Sequence, residues 1–208
     1  MIIVGAGGFA KEVIFLIERN LNYKIKGIVD DNFGKISSNL FDYPILGSTK
    51  YLNQVNEITG IVISIANPKA KEKIYHNCKQ NKNLFYPNII DNSALVGKDV
   101  NFGFGNIIMP YTTFSASISI GNFNMINIHS TIGHDTEVKD FNSIYPSTNI
   151  SGNSSIGYGN EFGVGTKVIQ NIKVGNQNII GAGSIIIRDI ANKQKVVGNP
   201  AKTIESWD

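Results

Sequence analysis

The stretch Ile126–Ile156, INIHSTIGHDTEVKDFNSIYPSTNISGNSSI, carries an aliphatic residue at 126, 132, 138, 144, 150 and 156. The same step of six runs from Ile90 to Ile186, and all seventeen positions on it hold an aliphatic residue or Phe. An apolar residue at every sixth place makes neither a helical face, which needs spacings of three and four, nor a plain strand, which alternates by two. It fits a triangular coil of three short flat strands, each sending one bulky side chain inward. Eighteen residues then make one coil, and coils stack at the strand spacing of roughly 4.8 Å. Residues 90–187 supply between five and six such coils. A β-sandwich would instead show alternation and irregular turn spacing.

Two further rules accompany the period. The residue after the apolar one is Gly at 97, 103, 121, 133, 157, 163, 175 and 181. The residue two before it is usually small or Asn, as at Ala94, Asn106, Thr112, Asn124, Ser130, Thr136, Thr148, Ser154, Thr166, Asn178 and Ser184. Both are expected to serve the corners of the triangle. With roughly 1.5–3 kcal/mol per buried large apolar side chain, the inward column is enough for a stable stack.

Before the repeat, the chain reads as β-α-β units. A strand Ile2-Ile3-Val4 precedes a helix from about Phe9 to Asn20, and a strand over Lys24–Asp30 follows. A further strand at Ile61–Ile65 leads to a helix whose start is marked by Asn67-Pro68, an N-cap and first helical position. Ala70, Ile74 and Cys78 fall at spacing four on that helix, which makes Cys78 a packing residue; His76 lies off the stripe. Gly5-Ala6-Gly7-Gly8-Phe9-Ala10 fits the G-x-G-x-x-[G/A] pattern between the first strand and helix, with Asp30 ending the second strand. In that context glycines let the backbone approach phosphates at a helix N-terminus and the carboxylate takes ribose hydroxyls. Only about 88 residues precede the repeat, roughly half a six-stranded dinucleotide domain. That length suits one nucleotide diphosphate, such as a UDP-sugar, better than NAD. The expected division is a small nucleotide-sugar-binding domain over residues 1–88 and a catalytic domain with a C-terminal tail over 89–208.

Composition limits the partners. The chain has 208 residues, 42% of them hydrophobic and 17% charged, with a net charge of +3. The excess of Lys and Arg lies in residues 1–88, where it favours a phosphorylated small molecule but falls short of a nucleic-acid groove. Cys78 is the only cysteine, so no intrachain disulfide forms, which fits a reducing compartment. The N-terminus MIIVGAGG has no basic lead and too short an apolar run for a signal peptide, and no stretch reaches 18 apolar residues. A cytoplasmic protein without membrane insertion is expected.

His129 and His134 fall in the repeat. His134 lies two residues beyond the inward Ile132 and can project outward, with Asp135 beside it. A carboxylate that holds one ring nitrogen protonated raises the basicity of the other, which is what a general base requires. Acyl transfer from a thioester needs such a base, alignment of the acceptor and a backbone N–H for the oxyanion. No covalent intermediate is implied, since Cys78 lies in the other domain and no Ser occupies a nucleophile motif. A zinc site on three histidines, as in carbonic anhydrases built on the same helix, would lack its third ligand because His76 belongs to the first domain. No metal is expected.

Taken together, IIVGAGGFAKEV, DYPILG (Asp42–Gly47), NIHSTIGHD (Asn127–Asp135), the unbroken hexapeptides and VVGNPAK (Val196–Lys202) resemble the hexapeptide-repeat acyltransferases of bacterial sugar biosynthesis. The resemblance is to the NeuD/PglD-like family, which contains sialic acid O-acetyltransferases and nucleotide-amino-sugar N-acetyltransferases. It implies a small Rossmann-like α/β domain followed by a left-handed parallel β-helix, acetyl-CoA as co-substrate, a nucleotide-activated amino sugar as partner, and a homotrimer whose sites use two chains. By position, His134 matches the general base, Asp135 its acidic neighbour, and Gly152 the glycine whose amide faces the thioester oxygen. Ser143, Val164, Ala182 and the tail residues Asn199, Pro200 and Lys202 match coenzyme contacts. Gly7, Gly8, Phe9, Asp30, Asp31, Ala66 and Asn67 match nucleotide-sugar contacts. Phe9 and Ser143 each stand where some relatives carry histidine. N-acetylation of an amino group, at C4 of a nucleotide-linked dideoxy-amino sugar, is the leading expectation. Sugar or sialic acid O-acetylation, a non-catalytic binding scaffold and an NAD-dependent oxidoreductase are its rivals.

Overall fold

In a computed structural model, which describes residues 1–20 and 23–208, the chain divides into two compact units, Met1–Ile89 and Ile90–Asp208.

The first unit is a six-stranded sheet. Strand β1 (Ile2–Val4) lies at its centre, paired in parallel with β2 (Gly27–Val29) and β5 (Thr59–Ile63). β3 (Asn39–Leu40) and β4 (Tyr43–Gly47) extend the sheet beyond β2, and β6 (Leu84–Phe85) closes the other edge. Helix α1 (Gly8–Asn20) follows β1, and α2 (Pro68–Cys78) follows β5. The strands are continuous apolar runs with every residue of β1, β2 and β5 buried, as expected of a parallel sheet covered on both faces. The second strand is shorter than its sequence suggests. Lys24 to Lys26 lie outside it, and Lys26 instead sends its ammonium to Glu57.

The second unit is a left-handed β-helix of three parallel sheets, in which each strand pairs with the one eighteen residues on. Thr131 opposes Thr113 and Asn149, Met125 opposes Ile107 and Ser143, and Glu137 opposes Ser119 and Ser155. From Ile108 to Ile186 every residue on the period of six is inward and at most 2% exposed. The first three depart from the expectation. Ile90 and Phe102 are half-buried and Val96 is 45% exposed, because Leu95–Val96 and Val100–Phe102 are edge strands with a neighbour on one side only.

The glycines after each apolar residue serve a different purpose from the one expected. The chain turns two residues later: every sixth residue from Asp99 to Gly183 has a positive φ, and most of these are not glycine. At Gly133 the constraint is the next coil. A Cβ there would lie 2.4 Å from the Gly152 nitrogen, so the adjacent coil leaves no room for a side chain.

One corner is held by a buried asparagine column of Asn106, Asn124, Asn142, Asn160 and Asn178. Each of the first four Oδ1 atoms accepts the backbone N–H of the next Asn at 2.8–2.9 Å. The amide nitrogens of Asn124, Asn142 and Asn160 donate to the same oxygens at 3.0–3.2 Å. The Asn178 oxygen ends the column on the Gln194 N–H at 2.8 Å. Asn142 and Asn160 complete a spacing of eighteen that the small-residue rule had only partly picked out. Replacing Asn142 by Ala removes the acceptor of both the Asn160 N–H and the Asn160 side-chain amide in a dry corner, while the backbone N–H of residue 142 still reaches Asn124. An unsatisfied buried polar group costs about 1–3 kcal/mol, so N142A should lose at least about 2 kcal/mol of stability in chemical denaturation.

Candidate active site

His134 projects from a corner because the strand Thr131–Ile132 spends its apolar residue on the core and the chain then turns. Asp135 occupies the turn position, at a φ of 56°. The His134 carbonyl is tied to the next coil by the Asn153 N–H at 2.7 Å. On this fixed backbone His134 Nδ1 lies 2.8 Å from Asp135 Oδ2, with both side chains largely exposed. A neutral imidazole donates Nδ1–H to that carboxylate and leaves Nε2 unprotonated. The Cε1, Nε2 and Cδ2 edge of the ring rests against Gly152, one coil further on. A Cβ at Gly152 would stand 2.6 Å from both Cε1 and Nε2, so only glycine leaves the ring this position. Among the described residues the Gly152 N–H has no acceptor, although its carbonyl takes the Asn171 N–H. An imidazole, a carboxylate within hydrogen-bond distance of it and a spare backbone donor are thus within one coil of each other.

The residues matched to the coenzyme are not brought to that corner. Val164, 51% exposed, and Ala182 lie eighteen apart on the corner that follows the strands containing Ile126, Ile144, Phe162 and Ile180. His134 and Gly152 lie on the corner that follows Ile132 and Ile150. Asn199 and Pro200 form the exposed tip of the hairpin between the strands Gln194–Gly198 and Ala201–Ser206, with Lys202 opposite Val197. Ser143 departs from its expected role. It is fully buried in the strand Ser143–Ile144, between Met125 and Glu161, so its hydroxyl is closed to a ligand in this arrangement.

In the first unit the glycine turn separates into two functions. Gly5 has a φ of 102°, and a Cβ there would meet Ile65 at 3.0 Å and the Ser64 carbonyl at 3.2 Å, so this glycine serves the fold. Gly7 and Gly8 are exposed, and a Cβ at either meets nothing within 4 Å. Their lack of side chains leaves the N-terminus of α1 open. Phe9 is half-buried on the first turn, and Ala10 is fully buried as the packing residue of the pattern. Asp30 shapes the turn: its Oδ2 accepts the Ala6 N–H at 2.8 Å and its Oδ1 the Asn32 N–H at 2.7 Å. Asp31 Oδ1 accepts from the Thr49 N–H and hydroxyl. Half-buried Ala66 precedes Asn67, whose side chain caps α2 by accepting the Ala70 N–H at 2.9 Å.

The remaining histidines and the cysteine separate clearly. His76 is exposed on α2 near Glu72. His129, to which the sequence assigned no role, stacks on Tyr111 with ring centroids 5.2 Å apart and planes 12° from parallel. A spacing of eighteen between the two rings was the available signal. Cys78 is buried, 3.3 Å from the Tyr86 hydroxyl, and burial raises its pKa, which suits packing rather than nucleophilic attack. Among the described residues no three His, Cys, Asp or Glu side chains gather to hold a metal, and no helix is long and apolar enough to cross a membrane.

The division of labour among the glycines is measurable. Gly5→Ala should lower the thermal midpoint by several degrees, while Gly7→Ala should leave it within about a degree of the parent in differential scanning, since about 1 kcal/mol shifts a chain of this size by about 2–4 °C.

Residues 1–78 match the PglD N-terminal domain family. No curated protein sequence matches the chain. Among solved structures it is similar to a histidine-to-asparagine mutant of perosamine N-acetyltransferase from Caulobacter crescentus in complex with CoA and GDP-perosamine. That match has 25% identity over 99% of this chain and 96% of the other, with a TM-score of 0.90. It is also similar to the acetyltransferase domain of PglB from Neisseria gonorrhoeae in complex with acetyl coenzyme A, at 26% identity over 98% of both chains and a TM-score of 0.88. WeeI from Acinetobacter baumannii shares the fold, with 24% identity over 98% of both chains and a TM-score of 0.75. With residues 1–78 matching the PglD N-terminal domain family, an unbroken hexapeptide helix and likeness to these enzymes over its full length, the chain is an acetyl-CoA-dependent sugar acetyltransferase that resembles the NeuD/PglD-like enzymes.

Proposed function

We propose that the chain transfers the acetyl group of acetyl-CoA directly to an amino group, at C4, of a nucleotide-linked amino-deoxy sugar for surface-glycan synthesis. The observation that carries this reading is the His134 ring, oriented by Asp135 through Nδ1 and resting with Nε2 against Gly152. N-acetylation is supported by the likeness to perosamine N-acetyltransferase, whose structure holds CoA and GDP-perosamine. The open glycines Gly7 and Gly8 at the start of α1 support a nucleotide diphosphate there, with Asp30, Asp31, Phe9, Ala66 and Asn67 around it.

In this mechanism His134 Nε2 takes a proton from the acceptor nitrogen as its lone pair attacks the thioester carbonyl carbon. The Nδ1–H bond to Asp135 stabilises the imidazolium that results. The free Gly152 N–H donates to the oxyanion of the tetrahedral intermediate. When the C–S bond breaks, His134 returns its proton to the departing sulfur, leaving an acetamide and CoA. His134 and Val164 occupy different corners of one helix, so a coenzyme touching both His134 and the Val164–Ala182 column, with Asn199, Pro200 and Lys202 at the nucleotide end, needs two chains. A homotrimer supplies them, and a cytoplasmic location goes with an acceptor activated by a nucleotide.

Incubation of the protein with acetyl-CoA and a panel of nucleotide-amino sugars and sialic acids, read by mass spectrometry, should show a mass gain of one acetyl group on an amino sugar. Acetylation confined to hydroxyls would assign the enzyme to O-transfer instead. On the productive acceptor, His134→Ala should lower kcat by about 10²–10⁴-fold, while undiminished turnover would remove the imidazole from the chemistry.

A further inference from the structure

The corner that carries His134 and Gly152 continues upward, and its register gives it a scale. The strands Thr131–Ile132, Asn149–Ile150, Lys167–Val168 and Ile185–Ile186 pair in sequence without a shift, which sets Ile186 three coils above Ile132; the turn after Ile186 is two residues shorter than those below, since Ile190 pairs with Val174 at a spacing of sixteen. Two residues beyond the inward side chains lie His134, Gly152, Gln170 and, in the shortened turn of the third coil up, Arg188. Three coil steps of roughly 4.8 Å set Arg188 roughly 14 Å above His134. Beside these residues Ile169 and Ile187, 42% and 40% exposed, replace the Gly133 and Ser151 of the lower coils and form a short apolar strip between the two ends.

Arg188 is exposed and is the only arginine of the second unit. Among the described residues it makes no ion pair, and the neighbouring Asp189 turns its Oδ1 to the Lys173 N–H at 2.8 Å. An extended pantetheine arm, comparable to about four residues of peptide, reaches roughly 14 Å from its sulfur. A thioester held at His134 and Gly152 therefore brings the coenzyme's diphosphate to the height of Arg188, with the arm passing over Ile169 and Ile187.

Resting on the acetyl-CoA reading above, we infer that Arg188 is a binding residue for the diphosphate of the acyl donor, and that the rise of three coils from His134 to Arg188 matches the length of the pantetheine arm. The guanidinium presents paired donors suited to phosphate oxygens and stays charged at any working pH. Lys167, also on this sheet, already donates to Asn149, which leaves Arg188 as the cation of the strip.

The test compares donors with and without phosphate. Arg188→Gln should raise KM for acetyl-CoA about tenfold or more, the loss expected for a charged hydrogen bond. KM for the acceptor sugar should be unchanged, and Arg188→Lys should restore part of the loss. With S-acetyl-pantetheine, which has no phosphate, wild type and R188Q should be indistinguishable. Acetyl-dephospho-CoA keeps the diphosphate and lacks the 3′-phosphate, so the penalty should persist with it. An equal penalty with acetyl-pantetheine, no penalty with acetyl-CoA, or a penalty that vanishes with the dephospho donor would each overturn the assignment. Wild-type turnover of acetyl-CoA is scored separately, so an inactive parent would count against the acetyltransferase reading and not against Arg188.

Discussion

The unshifted parallel pairing of each residue with the one eighteen ahead is the constraint on which the second unit depends. It places like positions on top of one another, so any requirement at one coil is repeated at the next. The core column from Ile108 to Ile186, the asparagine column and the left-handed corners are three expressions of that translation. The asparagines illustrate its energetics: a side chain that is costly to bury alone becomes favourable when its oxygen meets the next coil's N–H.

The same translation builds the site. His134 and Asp135 sit where the chain is already turning, so neither costs the core an apolar residue, and the coil above supplies Gly152 as the floor under the ring. This arrangement of imidazole, carboxylate and amide comes from a repeat in which one coil differs from its neighbours in a few outward positions. In the first unit the chemistry is separated differently. Gly5 and Ala10 serve packing, while Gly7 and Gly8 keep a helix N-terminus open.

Much of this was legible in the sequence because a solenoid writes its structure in a period. The inward positions could be named individually, and the His134–Asp135 pair followed from distance along the chain. What escaped was whatever depends on contact between coils. The glycines after the apolar residues suggested turning, yet the turn falls at residues such as Tyr111, Phe123 and Asp135, and glycine is demanded by the approach of the adjacent coil. Ser143, matched to the coenzyme by resemblance alone, is buried. The strands β3, β4 and β6 also escaped, the first and last being two residues long and β4 (Tyr43–Gly47) lacking a clear apolar period.

A stack of identical parallel rungs has no intrinsic reason to stop, and its last rung offers unpaired backbone groups to any other chain. Here the final turn of Gln194–Gly198 adds to the sheet in parallel, and Ala201–Ser206 then folds back against it in the opposite direction. Reversing direction breaks the lattice that a further coil would need, and the charged Lys202 and Glu205 face outward along that margin. The closing hairpin therefore works as a terminator, sparing a self-templating architecture from growing into a fibre.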